Sequence, residues 1–306
     1  MAAAAFVVAA ALLVDRLVGD PQSRYHPVAL LGRFIGFWGV PMRYPRGLQR
    51  AAGVAGAVLT AALFAAPFAL VQVAAPMWVY LIIAPFLLKV CLAWRALEEH
   101  TTAVVRALEE GGVDAGRARA GMMVSRDTAH LDPEHVLSAA YESMTENLVD
   151  SIISPLFYFG LFGLTGAAVF RAINTMDAML GYRDERLRLG WFPARADDIA
   201  NFIPARLTGL VLLAYFGAKG RFTPALEVLR RDAKNRPGFN GGIPMAIIAG
   251  GVGIRFEKPG VYTIGNPEKT LEEAGADIVS AVRAAVIVFT ILEIATLFLL
   301  WLMNHT

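Results

Sequence analysis

AAGVAGAVLTAALFAAPFALVQVAAPMWVYLIIAPFLLK, residues 51–89, carries no charged side chain until Lys89 at its end. A helix crosses a bilayer in about 20 apolar residues, so this run is long enough for two crossings. Pro76, after Ala74 and Ala75, is a natural turn between them. The same composition recurs outward from it. Residues 284–303 are apolar except for Glu293, and the N-terminal MAAAAFVVAAALLVDR reads as a retained helix that spans or half-spans the bilayer. That helix lacks the positive start of a secretory signal, and Asp15-Arg16 stands where a small-residue cleavage site would be.

At 56% hydrophobic and 18% charged, the chain of 306 residues is too apolar for an ordinary soluble enzyme. The predicted fold class is all-α: a polytopic helical integral membrane protein, a single domain over 1–306, in which re-entrant or short helices and polar loops form a membrane-surface site. Four or five spans are expected, with helix throughout. Two stretches are short for a span: 151–170, broken by Gly160, Gly163 and Gly166, and 207–218; each could be a true span, a re-entrant hairpin or a protein-buried helix. Lys and Arg occupy 19–50, 98–150, 171–203 and 219–283. If all of these face the cytoplasm, 151–180 must fold back on itself rather than cross. The formal charge of +2, with basic residues spread among loops, offers no case for nucleic-acid binding. The single cysteine, Cys91, excludes an internal disulfide and argues against a cysteine-ligated cluster. No P-loop, G-x-G-x-x-G or G-x-S-x-G pattern occurs.

The polar residues gather in clusters beside the apolar segments. In SAAYESMTENLVDSIISPLFYFG, residues 138–160, Glu142, Glu146 and Asp150 stand four apart and would line one helix face with Asn147 beside them. Like charges at that spacing destabilise a bare helix, so compensating cations or a bound metal are expected. Asp132-Pro133 supplies the cap and first turn of this helix. Thr223-Pro224 and Asn266-Pro267 are read as further helix starts, and NRPGFNGGIPMAIIAGGVG, 235–253, as an irregular, partly buried loop. Asn174 with Asp177, and Asp197-Asp198 with Asn201, repeat the acid–amide grammar. Oxygen donors of this kind suit Mg²⁺, which takes one or two carboxylates plus substrate phosphates and waters. Arg126, Arg183, Arg195 and Arg206 lie within or beside these clusters, and Arg pairs bidentately with phosphate or carboxylate. The competing reading is that these acids and arginines are ion pairs at solvated helix ends. Near the N-terminus, Asp15, Asp20 and His26 could bind a ligand in a loop fixed by Pro21 and Pro27, or could be a turn cap and a loop histidine. His130 and His135 have the wrong spacing for a zinc pair. Glu293, an acid inside a span, is a functional candidate by position, although an inward-facing structural role is the favoured reading.

These residues fall in ordered blocks: DRLVGDP with HPV, SRDTAHLD, ESMTENLVDSIISPLFY, RAINTMDAMLGYR, ADDIANFIPARLTG and RDAKNRPGFNGGIP. Together, over about residues 12–265, they resemble the cobalamin-biosynthesis family called CobD or CbiB. The resemblance implies a multi-pass protein of the cell membrane, an adenosylcobinamide-phosphate synthase. Such a ligase joins an amino alcohol, usually as its O-phosphate, to a carboxylate of adenosylcobyric acid, consuming ATP with Mg²⁺. It also implies the lipid bilayer, and other membrane enzymes of late corrinoid assembly, as partners. In that chemistry a carboxylate is activated by the ATP γ-phosphate before the amine attacks, which needs cations to spread the developing charge. Glu142, Glu146, Asp177 and Asp198 are the expected catalytic residues, and Glu146, Asp150, Asp197 and Asp198 the expected metal ligands. Substrate binding is expected from Asp15, Asp20, His26, Arg126, Asn147, Asn174, Arg183, Arg195, Asn201, Arg206, Lys234 and Asn240. The loop RPGFNGGIP departs from the family's usual Ser-Pro-Asn pattern while keeping Asn240, which puts the identity of the amino-alcohol donor in question. Two rival readings remain: a Mg²⁺-dependent membrane prenyltransferase, whose acidic motif NTMDAMLGYRDE weakly imitates, and a non-catalytic membrane regulator of the same fold.

Overall fold

The computed structural model describes residues 2–20 and 23–304; Pro21, expected to help fix the N-terminal loop, lies outside the described residues. In chain order the helices are α1 (Ala2–Val18), α2 (Pro27–Trp38), α3 (Gln49–Ala74), α4 (Met77–Cys91), α5 (Trp94–Ala120) and α6 (Pro133–Leu148). There follow α7 (Ser154–Leu180), α8 (Trp191–Ala200), α9 (Phe202–Ala218), α10 (Phe222–Asp232), α11 (Gly242–Val252) and α12 (Leu271–Met303). Five stretches are helical, long and apolar enough to cross a membrane: Gln49–Ala74, Met77–Ala120, Pro133–Leu180, Trp191–Ala218 and Leu271–Met303. The protein is membrane-embedded and nearly all-α. The departure from helix is one antiparallel hairpin, β1 (Arg255–Lys258) with β2 (Tyr262–Gly265), Phe256 facing Ile264 in its register.

The chain divides into two compact units, each assembled from separate stretches of sequence. The first comprises residues 1–93, 150–201 and 290–306. Its core packs Leu31, Ile35 and Trp38 of α2 and Ala57 of α3 against Ala172, Met176 and Leu180 of α7. Pro76 turns the chain between α3 and α4 as the sequence suggests. Within α7, Gly163 adopts φ 68°, ψ −155°, a conformation essentially confined to glycine, and the helix doubles back there. The rings of Tyr158 and Phe170 stack with centroids 5.4 Å apart, whereas twelve residues of straight helix would separate them by about 18 Å. Arg171 Nη1 likewise sits 3.4 Å from Ser151 Oγ. Of the alternatives the sequence left open for this stretch, the one observed is a helical hairpin that folds back on itself at Gly163, the re-entrant form.

The second unit comprises 94–149 and 202–289. Here α5 turns at Gly112 (φ 75°, ψ −173°) and packs on α6 through Val104, Ala120, Val136 and Ala140. The glycine-rich 242–252 segment, expected as loop, is the fully buried helix α11. Its small residues are the reason: a Cβ on Gly250 would lie 2.8 Å from Val228 Cβ, so only glycine lets α10 approach this closely. Asp132 caps α6 as expected, its side chain accepting from His135 N at 2.9 Å. The start of α12, by contrast, is not Asn266-Pro267. Thr270 and Glu273 form a capping box, Glu273 N donating to Thr270 Oγ1 and Thr270 N to Glu273 Oε2.

Candidate functional site

The acidic stripe of 138–160 does not run as one helix face. α6 ends at Leu148, and residues 149–153 form a π-helical turn that carries Asp150 into the first unit, beside Arg171. Glu142 and Glu146 stay in the second unit and meet cations, the compensation that like charges four apart require. They line a cavity of about 330 Å³ with Arg126, Asn147, Arg236, Lys258 and Tyr262.

Each wall of that cavity has a local cause. Arg126 lies in the α5–α6 loop, which is braced where Arg117 Nε donates to Leu131 O at 2.7 Å and Thr128 Oγ1 to Arg117 O at 2.9 Å. Its guanidinium contacts Glu142 Oε1 at 3.0 Å, and its buried Nη1 has no hydrogen-bond partner. Glu142 is buried; Oε1 also accepts from Ser138 Oγ at 2.6 Å, and Oε2 accepts from the Tyr262 hydroxyl. Ser138 Oγ accepts in turn from Glu257 N at 2.8 Å, so α6 and the β-hairpin are joined around this one carboxylate. Burial, then the neighbouring Glu142 charge, push the Tyr262 phenol well above its ordinary range, keeping it a donor. The hairpin is held from its other side by Asp232, whose Oδ2 accepts from Gly265 N at 2.8 Å. Arg236 pairs with the half-exposed Glu146, and Gly241 makes room for it: a Cβ there would lie 2.7 Å from the guanidinium carbon. With three cations against two carboxylates, the cavity favours an anionic guest.

In the first unit, α7 and α8 bring Asn174, Asp177, Asp197, Asp198 and Asn201 together. Asp197 is buried, and its oxygens accept from Asn174 Nδ2 at 3.2 Å and Asn201 Nδ2 at 2.9 Å. Asn201 is held in register by Ser154 Oγ, which donates to its Oδ1 at 2.6 Å. Asp177 and Asp198 stand close enough to act electrostatically on Asp197, and Arg195 pairs with Asp198 at 3.3 Å. A third cluster joins Asp15 and Asp20 to Lys89, with His26 Nε2 3.6 Å from Asp20.

The expected set therefore separates. Glu146 belongs to one unit and Asp150, Asp197 and Asp198 to the other, and among the described residues no group of three or more His, Cys, Asp or Glu side chains forms a metal cluster. Arg183 is exposed in the α7–α8 loop. Arg206 stacks on Phe202 and reaches Asn240 Oδ1 at 3.3 Å, in the second unit but outside the cavity lining. Lys234 is exposed; two residues on, Arg236 is the cation that lines the cavity. Sequence reading missed Arg236, Lys258, Tyr262, Lys89 and Ser154. The signal for Arg236 was Gly241, whose missing Cβ makes room for the guanidinium; Lys258 and Tyr262 stand in a short polar stretch with no helical period.

A family model described as CobD/Cbib protein matches residues 8–289. The chain belongs to the CobD/CbiB family. It is 39% identical over 294 residues to a "Probable cobalamin biosynthesis protein CobD" of Methanothermobacter thermautotrophicus, covering 93% of this chain and 95% of that one. It is 44% identical to the Pyrococcus abyssi protein of the same description over 82% of both chains. To the "Cobalamin biosynthesis protein CobD" of Pelobacter propionicus it is 35% identical, over 96% of this chain and 95% of the other. No solved structure matches the chain. The β-hairpin that completes the cavity falls inside the matched region, as do the Asp197 and Lys89 clusters.

Proposed function

We propose that this protein acts in cobalamin biosynthesis as a cell-membrane ligase, joining an amino alcohol or its O-phosphate to a carboxylate of adenosylcobyric acid at the expense of ATP. The family membership supports the pathway. The observation that carries the chemistry is the cavity in which Arg126, Arg236 and Lys258 face Glu142 and Glu146. Its cations bind and orient the anionic groups of the reactants, a contribution that grows where water is excluded. Glu146 is the carboxylate to take the proton that an ammonium group must lose before it attacks, and its pairing with Arg236 fixes its position. Glu142, whose oxygens are engaged by Ser138, Arg126 and Tyr262, is a positioning residue.

Because no three acids form a metal cluster among the described residues, Mg²⁺ arriving with a phosphorylated substrate would take one or two carboxylates, and Asp197 is suited to this: each of its oxygens accepts one amide and keeps a further lone pair. Mg²⁺ held there would neutralise phosphate charge. The prenyltransferase reading draws on one observation, an apolar groove of about 370 Å³ lined by Tyr158, Phe162, Phe170 and Ile173, next in sequence to Asn174. The assay that separates the readings uses purified protein with ATP, Mg²⁺, adenosylcobyric acid and a panel of amino alcohols and their phosphates, read by mass spectrometry. An amide product that requires nucleotide and is lost in Arg236→Ala supports the ligase. No product with any donor, from protein that stays folded, refutes it.

A further inference from the structure

Glu293 stands in the apolar run of α12, and both of its carboxyl oxygens are buried without a hydrogen-bond partner. Thr290, one turn earlier, buries its Oγ1 in the same state. Residues three apart share a helix face, so three polar atoms without partners lie along one side of α12. The first arm of the re-entrant hairpin meets them: a Cβ built on Gly160 would lie 3.1 Å from Glu293 Oε1. The titratable side chain on that arm is Tyr158, whose hydroxyl donates to Ala200 O at 3.0 Å. In the same unit, Asp15, Asp20, His26 and Lys89 form their own cluster, Asp150 lies beside Arg171, and Asp177, Asp197 and Asp198 form another. None of these groups is a hydrogen-bond partner of Glu293.

An ionised carboxylate with no counter-charge inside a membrane segment is strongly disfavoured. A metal ion, a water molecule or a proton could relieve it. The Gly160 backbone closes one side of Oε1, and no donor or cation side chain reaches either oxygen among the described residues. A proton needs no room. We infer that Glu293 is an intramembrane proton-binding site, an uncharged carboxylic acid in the folded protein, and that this neutral form lets α12 pack against the re-entrant hairpin at Gly160. The hairpin also carries Asn174 and Asp177, so the proton on Glu293 holds the element that presents them. This inference is independent of the ligase reading.

Dicyclohexylcarbodiimide tests it, since this apolar reagent adds whole to a protonated carboxyl, O–H and C=N giving an N-acylurea, and does not add to a carboxylate. The intact protein in detergent is treated at neutral and at alkaline pH, and the adduct is located by peptide mass spectrometry. The expected result is an adduct on Glu293 at neutral pH, lost at alkaline pH, and the same in NaCl or MgCl₂ as in choline chloride. Absence of the adduct at neutral pH overturns the proposal, and so does protection by Na⁺ or Mg²⁺, which would mean an ionised carboxylate holding a cation. As a second measurement, Gly160→Ala should lower the thermal midpoint, and much less so in a Glu293→Ala background. Equal losses in both backgrounds would show that the contact does not couple the two elements.

Discussion

The side chain of Gln72 closes the turn that Gly163 makes in the re-entrant hairpin. Its Nε2 donates to Phe162 O at 3.2 Å, and its Oε1 accepts from Thr165 N at 3.0 Å. A Cβ on residue 163 would sit 2.6 Å from that Oε1. The turn at Gly163 interrupts the helical hydrogen bonds on either side of it, and one amide from α3 supplies both a donor and an acceptor. Gly163→Ala should therefore cost about 1–3 kcal/mol through its backbone conformation alone, and Gln72→Leu about 1–3 kcal/mol through the orphaned groups. Thermal unfolding in detergent measures both; a Gly163→Ala protein as stable as the parent would exclude a sharp turn there.

Arg236 and Lys234 differ by two residues and should differ in effect. Arg236→Ala removes a cavity cation and leaves Glu146 without it, with an expected loss of about a hundredfold in kcat/KM. Lys234→Ala, at an exposed position, should remain near the parent. Steady-state kinetics on the amide-forming reaction checks this pair.

Tyr262→Phe removes a donor from the buried Glu142, at an expected cost of about 1–3 kcal/mol. Because the folded phenol is held above its unfolded value of 10.0 by burial and by Glu142, its stabilisation is complete below pH 10 and is lost only as pH rises further. A spectrophotometric titration of the folded protein should show one late-ionising tyrosine fewer in Tyr262→Phe than in the parent.

Burial lowers the His26 imidazole below its ordinary 6.5; the Asp20 carboxylate opposes the shift, while Lys89 and Arg171 add to it. The folded group is neutral where the unfolded one already takes a proton, so its contribution is complete above pH 6.5 and lost as pH falls through the folded value. His26→Gln should flatten that acid-side loss in a series of thermal midpoints against pH; an unchanged slope would remove His26 as its cause.

Asp197→Asn places an amide where Asn174 and Asn201 both donate, and should raise the Mg²⁺ concentration needed for half-maximal activity by at least about tenfold. Asn201→Ala should do so more weakly, since Asn174 still holds one oxygen. Magnesium titrations of the two variants distinguish this from a general loss of activity, which would leave the half-maximal concentration unchanged.

Much of the architecture was legible because its signals are local. Uncharged runs such as 51–88 mark membrane helices, Asp132-Pro133 marks the start of α6, and Pro76 marks the α3–α4 turn. The fold-back of 151–180 was one of the alternatives that the glycines and the placement of arginines left open, and its closure by Gln72 was not legible: Gln72 and Phe162 are 90 positions apart, and no sequence period connects them. The β-hairpin escaped notice because four-residue strands in a Gly- and Pro-bearing segment give too short a pattern to tell from loop. Helix α11 was mistaken for loop because its glycines, poor helix formers alone, are there for close packing.

The amino-acid sequence by itself determined the membrane class, the helical elements and the pool of acids, amides and arginines, since hydropathy and capping act over a few neighbouring residues. The tertiary structure decided which of them act together. It turned Glu142 into a positioning carboxylate, drew Arg236, Lys258 and Tyr262 to the cavity, and assigned Asp150 to a different unit from Glu146. The reason is physical: a buried charge settles where counter-charges and donors from distant segments converge, and that convergence is a property of packing that spacing along the chain does not encode.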